Sequence, residues 1–285
     1  SSGRASYTET EKGITVKANG RTFVFSKKDG QLKDVSVNNR KISFANGPRF
    51  IGARRADRSL DQFYNHDDEK AKAKDRTYSE FTDAAVFTKL DVKEEGGNLI
   101  LTANYKLGNL DKAQWTIHPD GMATLDYTYN FSGVVDLMGI CFDYPEEQVL
   151  SKRWLGAGPY RVWQNRIHGA QYDIWENDYN DPIPGETFTY PEFKGYFGSV
   201  SWMSIRTKEG TISLTNETPD SYIGVYQPRD GRDRLLYTLP ESGISVLNVI
   251  PPVRNKVNST DLCGPSSQPK WVDGPQTGRL VLRFE

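Results

Sequence analysis

The stretch richest in chemically useful side chains is WLGAGPYRVWQNRIHG, residues 154–169. Here three glycines and a proline interrupt two tryptophans, a tyrosine, two arginines, an asparagine and a histidine. Flat rings at Tyr160 and Trp163 stand beside hydrogen-bonding groups at Arg161, Asn165, Arg166 and His168. A pyranose suits that combination, because one face of the ring is C–H and its rim is hydroxyl. The segment that follows alternates aromatic and charged residues and adds Trp175, Tyr179 and Glu192. The candidate sugar-binding set is therefore Arg161, Trp163, Asn165, His168, Trp175, Tyr179 and Glu192.

A structural reading competes residue by residue. Trp154 and Trp163 suit a core, and Arg166 suits an ion-pair anchor that ties two strand ends through bidentate bonds. Gly156, Gly158 and Pro159 suit a tight, stiffened bend. Trp115 and Trp202 sit in clean strand patterns and read as core.

Other chemistry is sparser. His66 beside Asp67 and Asp68 resembles a metal-ligand cluster, but adjacent ligands on a polar loop are more often solvated, and no metal or other cofactor is expected. His168 with Glu192 or Glu217 could serve as the acid and base of a sugar-ring reaction. Cys141 and Cys263 make no metal or redox motif, and their spacing does not decide whether they pair.

The elements that must position these residues read as strands. Residues 13–50 alternate apolar and polar at Ile14 and Val16, at Phe23 and Phe25, and at Val35 and Val37. Turn pairs Asn19-Gly20, Asp29-Gly30 and Asn38-Asn39 separate them. Residues 51–82 are charge-rich and read as a long loop with room for a short helix. The meander resumes over 84–150, with turns at Gly96-Gly97 and at Pro119-Asp120-Gly121, and strands return in the last third. The 15 Tyr, 13 Phe and 6 Trp favour strands over helices. No linker or fixed-period repeat divides the chain. Residues 1–12 read as an N-terminal extension or linker, and 13–285 as a single domain. So many antiparallel strands need two large sheets packed face to face.

Charge excludes some partners. The 36 basic and 37 acidic residues are spread along the 285-residue chain, for a net charge of −1, so nothing points to nucleic acid or an anionic membrane. No apolar run reaches the length of a membrane span. The opening SSGRASYTE shows no secretory leader, as a processed start or an excised piece would also look.

Several motifs carry a family resemblance. WLGAGPYRVWQNR resembles the Gly-x-Gly-Pro…Arg signature of the C-terminal, small-chain domain of family 2 β-galactosidases. FVFSKKDGQLKDVSVNNRKI, GPRFIGARRADRS, GMATLDYTYNFSG and SVLNVIPPV resemble further segments of that domain in register, although the family's proline is either replaced by Asp57 or shifted. TYPEFKGYFG, TNETPD and IPPVRNK are similar to versions found in secreted family 2 glycosidases of polysaccharide-degrading bacteria. The resemblance implies an all-β fold, a large antiparallel β-supersandwich of the galactose-mutarotase type, in a periplasmic or extracellular bacterial protein. It also implies a TIM-barrel catalytic domain in the same parent protein, a partner that carries both catalytic glutamates. Retaining glycosidases need that carboxylate pair about 5 Å apart. No stretch here has a barrel's alternation of strands and amphipathic helices, so no catalytic residue is expected on this chain. The sugar-stacking aromatic of the family's loop after the penultimate strand has no evident counterpart in IPPVRNKVNSTDLCGP.

Three functions follow. The first is a non-catalytic domain that flanks or completes a galactoside-type glycan site on a glycoside hydrolase. The second is a stand-alone enzyme of aldose-epimerase or lyase type, and the third is a plain carbohydrate-binding or packing module.

Overall fold

The computed structural model describes residues 3–55, 78–179, 181, 183, 193–225, 239–253 and 268–285. Six strands open the chain as an antiparallel meander: β1 (Ser6–Glu9), β2 (Gly13–Ala18), β3 (Arg21–Ser26), β4 (Leu32–Val37), β5 (Arg40–Ile42) and β6 (Ala45–Arg55). The first of these comes from the stretch assigned to an extension, where Ser6–Glu9 pairs along β2 as an edge strand. The hairpin turns have the chemistry their sequence announces. Asn19 and Gly20 sit at φ 45° and 75°, and Asn38 and Asn39 at 50° and 65°. Two-residue hairpins of the mirror-image type require positive φ at both central positions, which asparagine and glycine tolerate.

Next come β7 (Tyr78–Glu80), β8 (Val86–Glu95), β9 (Asn98–Lys106), β10 (Leu110–Ile117) and β11 (Ala123–Asn130). They are followed by β12 (Gly133–Val135), β13 (Leu137–Asp143), β14 (Val149–Gly158) and β15 (Gln171–Asp178). The chain ends with β16 (Phe197–Gly198), β17 (Trp202–Thr207), β18 (Gly210–Asn216), β19 (Tyr222–Gly224), β20 (Ile244–Val249), β21 (Lys270–Val272) and β22 (Pro275–Phe284).

These strands form two large antiparallel sheets and a ribbon. An eleven-stranded sheet runs β1-β2-β3-β4-β6-β13-β20-β19-β16, with β5 on β4 and β7 on β6. A nine-stranded sheet runs β15-β14-β17-β18-β22-β11-β10-β9-β8, and β12 pairs with β21. The fold is a large antiparallel β-supersandwich. No helix among the described residues is long and apolar enough to cross a membrane.

The main core lies between the sheets and takes the inward alternate residues of both, among them Phe23, Phe25, Trp115, Tyr129, Trp154 and Phe284. Trp115 is buried there as its pattern predicts, whereas Trp202 is only half-buried. A second apolar cluster lies on the outer face of the eleven-stranded sheet. Strand β6 sends Phe50 inward and Ile51 and Ala53 outward, and β13 sends Ile140 inward and Leu137 and Cys141 outward. The central strands are thus buried on both faces.

That arrangement corrects the loop reading of residues 51–82 at its two ends, while residues 56–77 lie outside the described residues. Ile51–Arg55 continues β6, and Tyr78–Glu80 is β7, paired back along it. With both faces covered, the stretch loses the alternation that marks a half-exposed strand. Arg55 belongs to the strand because its backbone N–H donates to the buried Asp136 carboxylate at 2.9 Å and its guanidinium lies over the Tyr78 ring. His66, Asp67 and Asp68 lie outside the described residues, as does Cys263. Cys141 is a buried free thiol, pushed up to about 12 by burial despite the nearby Arg49.

The sheets are also tied by polar contacts. Glu209, in the turn between β17 and β18, accepts bonds from the Ser43 backbone (2.9 Å), the Ser43 hydroxyl (2.5 Å) and the Tyr144 hydroxyl (2.9 Å).

Burial also sets a limit on alkaline stability. Desolvation pushes the Tyr127 phenol up to about 12, against a slight lowering by Thr218, and raises Tyr129 and Tyr196 as well. A folded phenol that holds its proton more tightly than the unfolded one, at its ordinary 10.0, gives stabilisation that is complete below pH 10. It is lost as pH rises through about 12. Urea midpoints are therefore expected to stay flat on this account up to about pH 10 and then fall, with tyrosinate absorbance rising in the same step as unfolding. Full tyrosinate formation near pH 10 in a still-folded chain would contradict this burial.

Candidate functional site

At the end of β14 the chain leaves the nine-stranded sheet through a cis Gly158–Pro159 bond. Gly158 is required by close approach, since a Cβ there would lie 2.4 Å from the Trp175 ring. The following loop lies on the outer face of the eleven-stranded sheet, where Val162 and Trp163 join the second apolar cluster. Val162 exchanges two 2.7 Å backbone bonds with Tyr196, and a tight turn brings the Arg166 N–H to the Trp163 carbonyl.

The candidate residues separate by what they touch. Trp163 is 2% exposed, its ring edge-on to Tyr196 at 5.8 Å. Arg161 is 1% exposed, with its guanidinium 5.9 Å from the Phe197 ring centre. Lys152 reaches the same ring and donates to the Asp178 carbonyl at 2.8 Å. Burial, then the neighbouring Arg161 charge, hold its ammonium well below the usual lysine value. Asn165 grips the backbone of Val253, donating to its carbonyl at 2.9 Å and accepting from its N–H at 2.8 Å. Gln164 extends the seam to Pro251 and Gln268.

His168 is exposed, and its carbonyl accepts from the Tyr160 hydroxyl. Arg166, read as an ion-pair anchor, is exposed and lies over the Phe193 ring at 5.1 Å. Trp175 and Tyr179 belong to β15 and its end. Trp175 packs against the inter-sheet core, and the Tyr179 hydroxyl donates to Glu146 at 2.6 Å. Glu192 lies outside the described residues. One loop thus gathers Arg161, Trp163, Asn165 and His168, with Trp175 behind its first bend.

Beside this loop opens a cleft of about 290 Å³. Ile167, Ser199, Asp220, Tyr222, Asn248 and Lys270 are among the residues that line it, so hydroxyl, amide and charged groups converge around apolar side chains. Ser199 and Asp220 both sit at φ 49°, in the left-handed region. Non-glycine residues held there are uncommon and concentrate where surrounding structure fixes a binding geometry. Asn248 also accepts from the buried Tyr129 hydroxyl, which fixes its amide. Glu217 does not line the cleft, although its neighbours Asn216 and Thr218 do, and it pairs instead with Arg279. Among the described residues no three His, Cys, Asp or Glu side chains group as a metal site requires.

Sequence reasoning passed over Trp271. It follows the cleft residue Lys270 on the β12–β21 ribbon and is 72% exposed. An indole this open on a two-stranded ribbon has no core to join. The signal was a lone tryptophan in PKWVDGP, between turn-formers and outside any alternating strand pattern.

The geometry predicts opposite outcomes for two loop residues. Asn165→Ala should cost about 2 kcal/mol, because it leaves both polar groups of Val253 unanswered. His168→Ala should stay within about 0.5 kcal/mol. Urea unfolding checks both; unchanged stability in Asn165→Ala would remove the clamp from this description.

Comparison with known proteins gives the family. Among curated proteins none matches the chain in sequence. In solved structures, galactose 1-epimerase from Lactobacillus acidophilus NCFM aligns at 8% identity, covering 99% of this chain and 98% of that one, with a TM-score of 0.49. The alpha-N-acetylgalactosaminidase NagBb from Bifidobacterium bifidum aligns at 10% identity over 95% of this chain and 36% of its own, with a TM-score of 0.44. Residues 17–248 match the family model described as beta galactosidase small chain. With a match over that much of its length, the chain belongs to the beta galactosidase small chain family.

Proposed function

We propose that this chain is a carbohydrate-active domain of a family 2 glycoside hydrolase, one that flanks or completes a galactoside site and carries no catalytic carboxylate pair of its own. The observation that carries the reading is a cleft of fixed polar groups, in a member of this family, with the exposed indole of Trp271 one residue beyond its Lys270. An indole offers a flat surface to the C–H face of galactose, while Asn248, Ser199 and Asp220 offer partners to its hydroxyls. Cleavage of the glycosidic bond then falls to two glutamates on a barrel domain of the same parent, acting as acid/base and nucleophile. The periplasm or the cell exterior is the proposed location.

Strand β15 supplies the surface proposed to meet that barrel. It is an edge strand of the nine-stranded sheet, and Tyr172 and Ile174 stand exposed on it. Like β8 at the other edge, with Lys89, Asp91, Lys93 and Glu95, it is blunted with charge, at Asp173, Glu176 and Asp178, but Tyr172 and Ile174 add a pair of large apolar side chains two residues apart on one face. Two large apolar side chains on an edge are the mark of a surface that is covered.

The isolated chain should not hydrolyse nitrophenyl galactosides, and titration calorimetry should detect galactose binding. Trp271→Ala should weaken that binding about tenfold or more with no change in unfolding, because stacking is lost and no core contact is. Robust turnover by the isolated chain, or unchanged affinity in Trp271→Ala, would contradict the proposal.

A further inference from the structure

A second, larger cleft, of about 570 Å³, opens beside the middle of β6 and the end of β7. Its lining includes Arg49, Glu80, Phe81, Asp83, Phe87 and Tyr105. Arg49 and Arg55 are six residues apart on β6, which at strand rise is about 20 Å. Arg55 lies at the end bonded to Asp136, close to the β12–β21 ribbon that carries Trp271. The lining of this cleft shares no residue with that of the smaller one.

The walls of this cleft are aromatic and fixed. Phe81 ends a stack of three rings, 5.5 Å from Phe131 at 15°, with Phe131 6.1 Å from Phe50 at 21°. Phe87 stands edge-on to Tyr105 at 5.8 Å and closes over Gly30, where a Cβ would meet the ring at 2.7 Å. The Tyr105 hydroxyl is tied to the Asp29 carbonyl at 2.5 Å. Asp83 pins the rim by accepting from the backbone of Ala85 (3.0 Å), Asn109 (2.6 Å) and Leu110 (3.2 Å).

The polar groups left to the opening complement hydroxyls. Glu80 is exposed, and among the described residues its carboxylate accepts no hydrogen bond and makes no ion pair. Arg49 is held by Asp143 at 2.7 Å and the Asn46 carbonyl at 3.0 Å, both through Nη1, which leaves its other N–H groups as donors. A carboxylate accepts only and a guanidinium donates only, so the pair suits adjacent hydroxyls, each of which does both. Lys28 and Arg49 face Asp29, Glu80 and Asp83, two basic groups against three acidic, so an anionic sugar gains no net attraction.

We propose that this cleft is a second saccharide site. It takes a neutral pyranose unit of a galactoside-type glycan, with the C–H face against the aromatic wall and the hydroxyls on Glu80 and Arg49. The inference rests on the carbohydrate reading above but assigns a separate place on the molecule. A cleft of this volume has room for one or two sugar units. Two separate sites would let a chain-like substrate be held at both.

Amide resonances of the isotopically labelled chain, titrated with β-1,4-galactobiose and separately with digalacturonate, test it. Saturable shifts are expected at residues 80–87 and 105–110 with galactobiose. Glu80→Gln should weaken that binding about tenfold. Glu80 is exposed, so the substitution leaves the fold intact; Phe87→Ala should have a similar effect if it folds. Shifts confined to residues 268–272 and 159–170 would overturn this site and leave the proposed function standing. Shifts at the 80–87 cleft alone would do the reverse, and no shift anywhere would overturn both. Preference for digalacturonate would overturn the neutral-sugar assignment.

Discussion

The structure depends on covering the central strands β6, β13 and β20 on both faces. Their inward residues fill the space between the sheets, and their outward residues, Ile51, Ala53, Leu137, Cys141 and Leu247, are equally buried. An outer face this apolar cannot be left to water, and among the described residues no second sheet lies over it. The cover is made of irregular chain, which brings its own backbone polar groups and must satisfy them. That requirement explains the seams: Val162 with Tyr196, Gln164 with Pro251 and Gln268, Asn165 with Val253. It also explains why the loop is dense in long polar side chains. Arg161 and Lys152 are buried with their cations over the Phe197 ring, where aromatic electrons and backbone carbonyls replace part of the lost hydration.

The proposed function falls at the edge of this cover. A loop that must seal a core turns its best ring, Trp163, inward and spends its amide, Asn165, on backbone. Recognition groups then collect where the cover ends, between the loop, the β18–β19 connection and the β12–β21 ribbon. Left-handed Ser199 and Asp220, the fixed amide of Asn248 and the open indole of Trp271 all lie there or next to it.

How much of this could be read in advance follows from which signals are local. Hairpin turns at Asn19-Gly20 and Asn38-Asn39 were legible because positive φ restricts residue type at the position itself. Strands with one wet face were legible from alternation. The end of β6 was not, because Ile51–Ala53 is covered on both sides and the two arginines that follow mimic a polar loop. Gly-x-Gly-Pro at 156–159 marked the family and the bend. It could not say which way Trp163 would point, since an aromatic ring in a Gly-Pro loop serves a core or a ligand equally well. The exposure of Trp271 was hidden for the same reason: only the pairing of two short distant strands, β12 and β21, leaves that ring without a cover.

The most direct test of the account is the location of bound sugar. A crystal structure of this chain with galactobiose, at sugar concentrations well above the dissociation constant, should place a pyranose ring against the Trp271 indole with hydroxyls on the Asn248 and Asp220 side of the cleft. The Trp163 ring should remain covered. A sugar stacked on Trp163 after displacement of the 159–170 loop, or bound on the molecule with Trp271 untouched, would contradict it.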